Sequence, residues 1–344
     1  MTDFQGWQVP FHFSEVPAEY TAVRTAAGLF DIGCLGRIEI TGLGAATLLQ
    51  NVLTRNIAKI TAGSAHYGLI CNESGFLLDD VLILRLAGNR YMLTTNAGNA
   101  DKIFLWLKKH AADDVQVTDQ TQAIAQFALQ GPQSFHILEK LTEPHLKKLN
   151  PRAVREVSMQ DTIVTISRTG YTGEHGYELF VPTDRAEALW DVIMSAGTGK
   201  GLLPCGFACR DILRMETGHL LYGNDLDETR TPIESGLGPF VDFKKEFIGK
   251  EALLKLQAEG PKQKLIGFIL VDAGIPRSGG SIFSESSDIG MVTSGVQSPN
   301  RRTGIGLGYV LSRYAQAGQE IEIEVRDREI AARIVDLPFY RKKA

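Results

Sequence analysis

Arg37-Ile38-Glu39-Ile40-Thr41-Gly42-Leu43-Gly44-Ala45-Ala46-Thr47-Leu48-Leu49 reads as a strand to Ile40, a turn at Thr41-Gly42, and a helix carrying Ala45, Leu48 and Leu49 on one face. Farther along, Ala125 to Leu129 repeats the strand and Gln130-Gly131-Pro132 repeats the turn. Ser134, Ile137 and Leu138 then repeat the helical pattern. Two matching segments point to an internal duplication, each half a strand-helix-strand unit of the ferredoxin-like kind. Between the copies, Leu77 to Leu84 and Arg90 to Thr95 read as strands. A helix follows from Asn99 to His110, with Ile103, Leu105, Trp106 and Leu107 assigned to its apolar side. Another covers Arg185 to Ala196. From Lys264 the character changes to short strands divided by Gly, Pro and Ser turns, at Leu265 to Val271, Ser281 to Phe283, Gly290 to Ser294, Gly304 to Val310 and Ile321 to Val325. The fold class expected is α+β, with a duplicated body over residues 1–263 and an all-β barrel or jelly-roll module over 264–344.

A chain of 344 residues is long for a single core. Its 44% hydrophobic and 22% charged content is that of a globular protein, and a net charge of -4 argues against a nucleic-acid partner. No apolar run approaches the roughly 20 residues that span a bilayer. The first residues lack the features of a secretory or Arg-rich leader, so a cytoplasmic location is expected. Cys34, Cys71, Cys205 and Cys209 are too scattered for a disulfide framework, and are read as buried free thiols. Cys205 and Cys209 have no His or further Cys at zinc spacing, so no metal is expected.

Three segments carry chemistry. Arg168-Thr169-Gly170-Tyr171-Thr172-Gly173-Glu174-His175-Gly176-Tyr177-Glu178 places two aromatics and two carboxylates among three glycines, between strands at Val164 to Ser167 and Leu179 to Val181. It reads either as a plain hairpin loop or as a ligand loop that lets a bound group approach the backbone. Asp79-Asp80 lies inside Leu77 to Leu84, where alternation sends the two carboxylates to opposite faces. One can then enter a cleft while the other caps a backbone or pairs with a base. Gly206 to Glu216 reads as a helix with Arg210 and Arg214 on one face. They form either an exposed ion-paired face or a guanidinium reaching a planar ligand.

Taken together, the chain resembles the aminomethyltransferases of the glycine cleavage system (T-proteins) and the wider tetrahydrofolate-dependent family around them. The likeness covers nearly all of it. It rests on Phe4-Gln5-Gly6-Trp7, Ala27-Gly28-Leu29-Phe30-Asp31, Leu77-Leu78-Asp79-Asp80, Leu129-Gln130-Gly131-Pro132, Thr169-Gly170-Tyr171-Thr172-Gly173-Glu174 and Arg210-Asp211. Further matches are Leu221-Tyr222-Gly223, Asp227-Glu228, Phe247-Ile248-Gly249-Lys250-Glu251, and Val292-Thr293-Ser294-Gly295 with Ser298-Pro299.

The resemblance implies a three-domain cloverleaf with tetrahydrofolate in a central channel. It implies Asp80 beside the folate nitrogens that receive the one-carbon unit, Tyr171 and Glu178 on the pterin, and Tyr67 and Arg210 lining the channel. It also implies a lipoyl-carrying H-protein as partner. One departure stands out: Gly33-Cys34-Leu35 replaces the Ser-His-Met usual after the Phe-Asp-Val/Ile motif. That triplet opens an alternative, a folate-dependent demethylase of a small S-, O- or N-methyl compound. A third alternative is a non-catalytic folate-binding protein supporting iron-sulfur cluster assembly. Phe247 argues against it, because such proteins carry Cys there.

Overall fold

A computed structural model of the chain describes residues 1–142 and 149–342; residues 343 and 344 of the expected β module lie outside the described part. The chain divides into two compact units. One comprises Met1–Ile70, Asp79–Arg210 and Lys245–Phe247, the other Cys71–Leu78, Asp211–Lys244 and Ile248–Ala344.

A short hairpin of β1 (Thr2–Phe4) and β2 (Trp7–Val9) precedes α1 (Val16–Thr25) and β3 (Ala27–Asp31). The duplication then appears as a repeated order of elements. The first copy runs β4 (Gly36–Gly42), α2 (Ala45–Val52), β5 (Ser64–Cys71), β6 (Leu77–Ala87), β7 (Arg90–Thr95), α3 (Ala100–His110) and β8 (Val115–Asp119). The second runs β9 (Ile124–Gln130), α4 (Ser134–Leu138), β10 (Val154–Met159), β11 (Thr162–Ser167), β12 (Gly176–Pro182), α5 (Ala186–Gly197) and β13 (Leu202–Pro204). Their sheets have matching strand orders, β5-β6-β7-β4-β8 and β10-β11-β12-β9-β3-β13, with β3 inserted in the second. The repeating unit is thus longer than strand-helix-strand. It keeps three extra strands and a second helix.

Gly42 and Gly131 fix the turn from strand to helix in the two copies. Their φ values are +112° and +126°, where side-chain-bearing residues are rare. A Cβ on Gly42 would stand 2.0 Å from the Asp114 carbonyl oxygen, and one on Gly131 would stand 2.6 Å from that of Ala26.

In the second copy one sheet face packs Leu129, Leu179 and Val181 against Leu189 and Ile193 of α5. The other face carries Phe180, which clusters with Ala65 of β5, Leu84 of β6, Met92 of β7 and Val154 of β10. The two sheets therefore meet through these faces within the first unit. On α3 the expected apolar side needs one correction. Ile103 and Leu107 are buried, but Leu105 is 64% exposed, because two residues of helix rotate it by roughly 200° from Ile103.

After α6 (Phe207–Glu216) and α7 (Lys250–Glu259) comes a closed six-stranded barrel. Its strands are β14 (Gln263–Leu270), β15 (Ser281–Ser284), β16 (Ser287–Ser298), β17 (Thr303–Leu311), β18 (Glu320–Glu324) and β19 (Glu329–Val335). Closure depends on β19, unforeseen in the sequence reading, which pairs antiparallel with both β14 and β18. Ile266, Phe268, Ile282, Val310, Ile323 and Ile334 fill the interior. Within this unit Arg214 is 2% exposed and donates to Asp211, Asp225 and Ser294. Among the described residues no helix is long and apolar enough to cross a membrane.

Candidate functional site

Pleating builds the site from the inter-sheet cluster. Side chains two residues apart on a strand share a face. Tyr67 lies two residues beyond Ala65, Asp80 two before Leu82, and Glu178 two before Phe180, and those three apolar residues pack in the same inter-sheet cluster. Three polar groups from two sheets are thus directed into one space.

The Tyr67 hydroxyl donates to Asp80 Oδ2 at 3.0 Å. Burial raises the Tyr67 phenol well above its ordinary range, and the neighbouring Asp80 and Tyr171 push it further. It stays a donor at neutral pH. Asp79 behaves differently. It is fully buried and accepts from the Asn96 backbone N–H at 3.1 Å, from Asn96 Nδ2 at 2.8 Å and from Asn99 Nδ2 at 2.7 Å. Burial raises its pKa and Asp80 adds to this, while the amide donors oppose both. Asn96, absent from the sequence reading, also places Nδ2 2.8 Å from Asp80 Oδ1. The register Leu82↔Thr94 between β6 and β7, continued by two residues, sets Asn96 opposite Asp80.

Across the space, Glu178 is 9% exposed, and its Oε2 accepts from the Thr169 hydroxyl at 2.7 Å. Its Oε1 has no protein donor among the described residues. Burial raises the Glu178 pKa, opposed by Thr169 and by the Arg210 charge. Arg210 stacks its guanidinium over the Tyr171 ring at 4.6 Å and makes no side-chain hydrogen bond among the described residues. The loop bearing Tyr171 is fixed by residues that sequence reasoning missed. Gln130 holds the Thr169 carbonyl at 3.2 Å and the Thr172 hydroxyl at 2.9 Å, and Arg24 reaches Glu174 at 2.9 Å and the Thr172 carbonyl at 2.7 Å. Within the first unit Tyr67 is hydrogen-bonded to Asp80 and Arg210 stacks on Tyr171, while Tyr171 acts electrostatically on Tyr67 and Arg210 on Glu178. An acceptor with an open lone pair, a guanidinium with open donors and an aromatic wall suit a planar heterocycle with adjacent N–H donors.

Cys34 is half-buried rather than buried, unlike the other three thiols. Burial raises its pKa, and the nearby Arg210 opposes that. It lines a small pocket with Phe30, Cys205 and Arg210, and a larger cavity of about 340 Å³ with Trp7, Asp31, Arg37 and Phe127. Arg37 donates to the carbonyls of Gly33, Leu35 and Thr121, which pins the unusual triplet in place. Glu19 of α1 joins Cys205 and Cys209 in a group whose potential ligand atoms lie within 4.8 Å of one another. Its carboxylate already accepts the backbone N–H groups of Phe13, Ser14 and Gly206, so it serves as a clasp for the start of α6.

Comparison with known proteins gives the family of the chain. Residues 1–245 match the GCVT N-terminal domain, and residues 263–341 match the glycine cleavage T-protein C-terminal barrel domain. The aminomethyltransferase of Geobacillus kaustophilus is 41% identical over 343 residues, spanning 99% of this chain and 94% of that protein. That of Bacillus subtilis is also 41% identical, over 99% of this chain and 95% of its own length. The crystal structure of the glycine cleavage system aminomethyltransferase T from Bartonella henselae superposes with a TM-score of 0.92 at 33% identity, covering 98% of this chain and 93% of that one.

Proposed function

The chain belongs to the glycine cleavage T-protein family of aminomethyltransferases, and from that premise we propose that its acceptor is tetrahydrofolate and its donor the aminomethyl-lipoyl arm of an H-protein. In the balanced reaction the thioether S–CH₂ and CH₂–N bonds of the donor break. The methylene carbon bonds to the two folate nitrogens, and a thiol and ammonia leave. The altered triplet does not draw the chain toward demethylase chemistry, since relatives at 41% identity over nearly full length are aminomethyltransferases.

One observation carries the assignment of residues: a nearly buried carboxylate, Glu178, whose Oε1 takes no hydrogen bond from the described residues, near an Arg210 guanidinium that makes no side-chain hydrogen bond to them. The pterin edge presents adjacent N–H donors, and a carboxylate accepts both. Each charge-assisted bond contributes about 1.5 to 3 kcal/mol. Tyr171 supplies the ring face against the heterocycle. Asp80, oriented by Tyr67 and Asn96, faces the nitrogens that take up carbon and holds or accepts their protons. One amide and a phenol fix that carboxylate, so it need not be a strong base. Orientation alone can lower a barrier by several kcal/mol.

The test is ammonia release from purified protein, tetrahydrofolate and aminomethylated lipoyl carrier protein. Release dependent on all three components is expected. Ammonia released equally well without folate would remove it as the acceptor.

A further inference from the structure

Gln130 ends β9 at 1% exposure, a depth that an amide side chain tolerates when its polar atoms are paired. Alternation puts it on the face of β9 that carries Ala128, and Ala128 lies opposite Glu178 on β12. Gln130 Nε2 donates to the Thr169 carbonyl at 3.2 Å and, more weakly, to the Tyr177 carbonyl at 3.4 Å. Its Oε1 accepts from the Thr172 hydroxyl at 2.9 Å. The loop between β11 and β12 is therefore wrapped around one side chain from another strand. That side chain also accounts for two of the loop's glycines. A Cβ on Gly170 would stand 2.0 Å from Gln130 Oε1, and one on Gly176 would stand 2.3 Å from Gln130 Cδ and Nε2. At both positions the three nearest heavy atoms all belong to Gln130. Gly173 between them has a φ of +79°, but neither Gly170 nor Gly176 takes that left-handed conformation. What excludes a side chain at these two positions is Gln130, not the backbone.

The interlock sets one wall of the ligand space. Thr169, held by Gln130 through its carbonyl, gives its hydroxyl to Glu178 Oε2 and so decides which Glu178 oxygen stays open. Tyr171 sits between Thr169 and Thr172, the two residues Gln130 holds, and stacks with the Arg210 guanidinium at 4.6 Å. The opposite wall is built separately: Tyr67 and Asp80 come from β5 and β6 of the other sheet, and Asn96 directly follows β7. We propose that Gln130 is a positioning residue for the pterin, acting through Tyr171 and Glu178 and not through Asp80, a proposal that rests on the folate reading above.

The test is calorimetric titration of tetrahydrofolate into the full chain, with turnover measured at saturating folate and each variant checked for an intact thermal transition. Gln130→Met keeps the volume between the two glycines and removes the hydrogen bonds. It should raise the dissociation constant about tenfold or more and leave kcat within about twofold, because orientation is lost at the pterin and kept at Asp80. Thr172→Val should act in the same direction, and Thr172→Ser, which keeps the hydroxyl, should bind like wild type. A double-mutant cycle reads the interlock itself. Gly176→Ala should weaken binding about tenfold or more in the wild-type chain, but less than about twofold in a Gln130→Ala chain, where the clashing atoms are gone. If Gln130→Met does not fold, the contrast between Thr172→Val and Thr172→Ser decides alone. Unchanged affinity in Gln130→Met and Thr172→Val, a fall in kcat at unchanged affinity, or a Gly176→Ala penalty equal in both chains overturns the positioning role while leaving folate as ligand. Failure of tetrahydrofolate to bind wild type overturns the folate reading, and the positioning role with it.

Discussion

Glu178→Gln separates binding from stability in a way the geometry determines. The substitution preserves shape but turns one acceptor into an N–H₂ donor. Thr169 can keep its partner on the remaining carbonyl oxygen, and its alternative, the Ser167 hydroxyl, lies 2.9 Å away. The ligand-facing position would then oppose a donor to the donor edge of the pterin. Losing one charge-assisted bond costs about 1.5 to 3 kcal/mol, so the dissociation constant should rise roughly 10- to 150-fold. Stability should move the other way. Burial raises the Glu178 pKa in the folded chain, so the folded state holds this proton more tightly than the unfolded state. The ionised group therefore destabilises the fold as pH rises from the unfolded pKa through the folded one, and at neutral pH that cost is fully present. Gln has no charge to desolvate, so the variant should melt at the same or a higher temperature at pH 7, with the difference vanishing near pH 4. Wild-type folate affinity should weaken as pH falls through the raised pKa, above the usual carboxylate range, and that dependence should disappear in the variant. Calorimetric titration and thermal melts across pH measure both. Unchanged affinity at pH 7 would refute Glu178 as the pterin acceptor, and a large loss of melting temperature would make its role structural.

Other expectations follow from the same contacts. Asp80→Asn keeps the size of the side chain and removes the charge, so ammonia release should fall at least a hundredfold (about 2.7 kcal/mol) with folate affinity little changed; normal turnover would make Asp80 structural. Asp79→Asn turns an N–H₂ toward the amides of Asn96 and Asn99, and its effect should appear in urea midpoints with activity per folded molecule largely kept. Arg214→Met breaks the buried pair with Asp225 at 2.6 Å and should destabilise by about 3 to 5 kcal/mol, measured by denaturant unfolding. Gly131→Ala should cost more than about 1 kcal/mol in denaturant unfolding, against a small effect for Gly199→Ala, where the space is open and φ is not positive.

What the sequence discloses tracks the range of the interaction that decides it. Strand alternation and glycine turns are local, so the duplicated body and the β-rich end can be read directly, and so can the separation of Asp79 from Asp80. The strand β19 was not legible, because Ala331-Ala332 and Arg333 interrupt its apolar signal and its place is set by closing the barrel onto β14 and β18. Asn96 carried no signal in the sequence, because its bridge between two carboxylates exists only once β6 and β7 are in register. The hardest case is Arg210 and Arg214. At i and i+4 they look equivalent, and spacing only places them on one face, exposed and ion-paired or reaching a ligand. Yet Arg214 is buried and spends its donors on Asp211, Asp225, the His219 carbonyl and Ser294, while Arg210 lies over Tyr171 with its donors open. The difference comes from residues far away in sequence: Asp225 and Ser294 for one, Tyr171 for the other. A charged helix face therefore becomes a structural clamp or a ligand contact according to what the rest of the chain brings to it. An arginine without an acceptor among the described residues, near a buried carboxylate with an open oxygen, is the signature that points to the ligand.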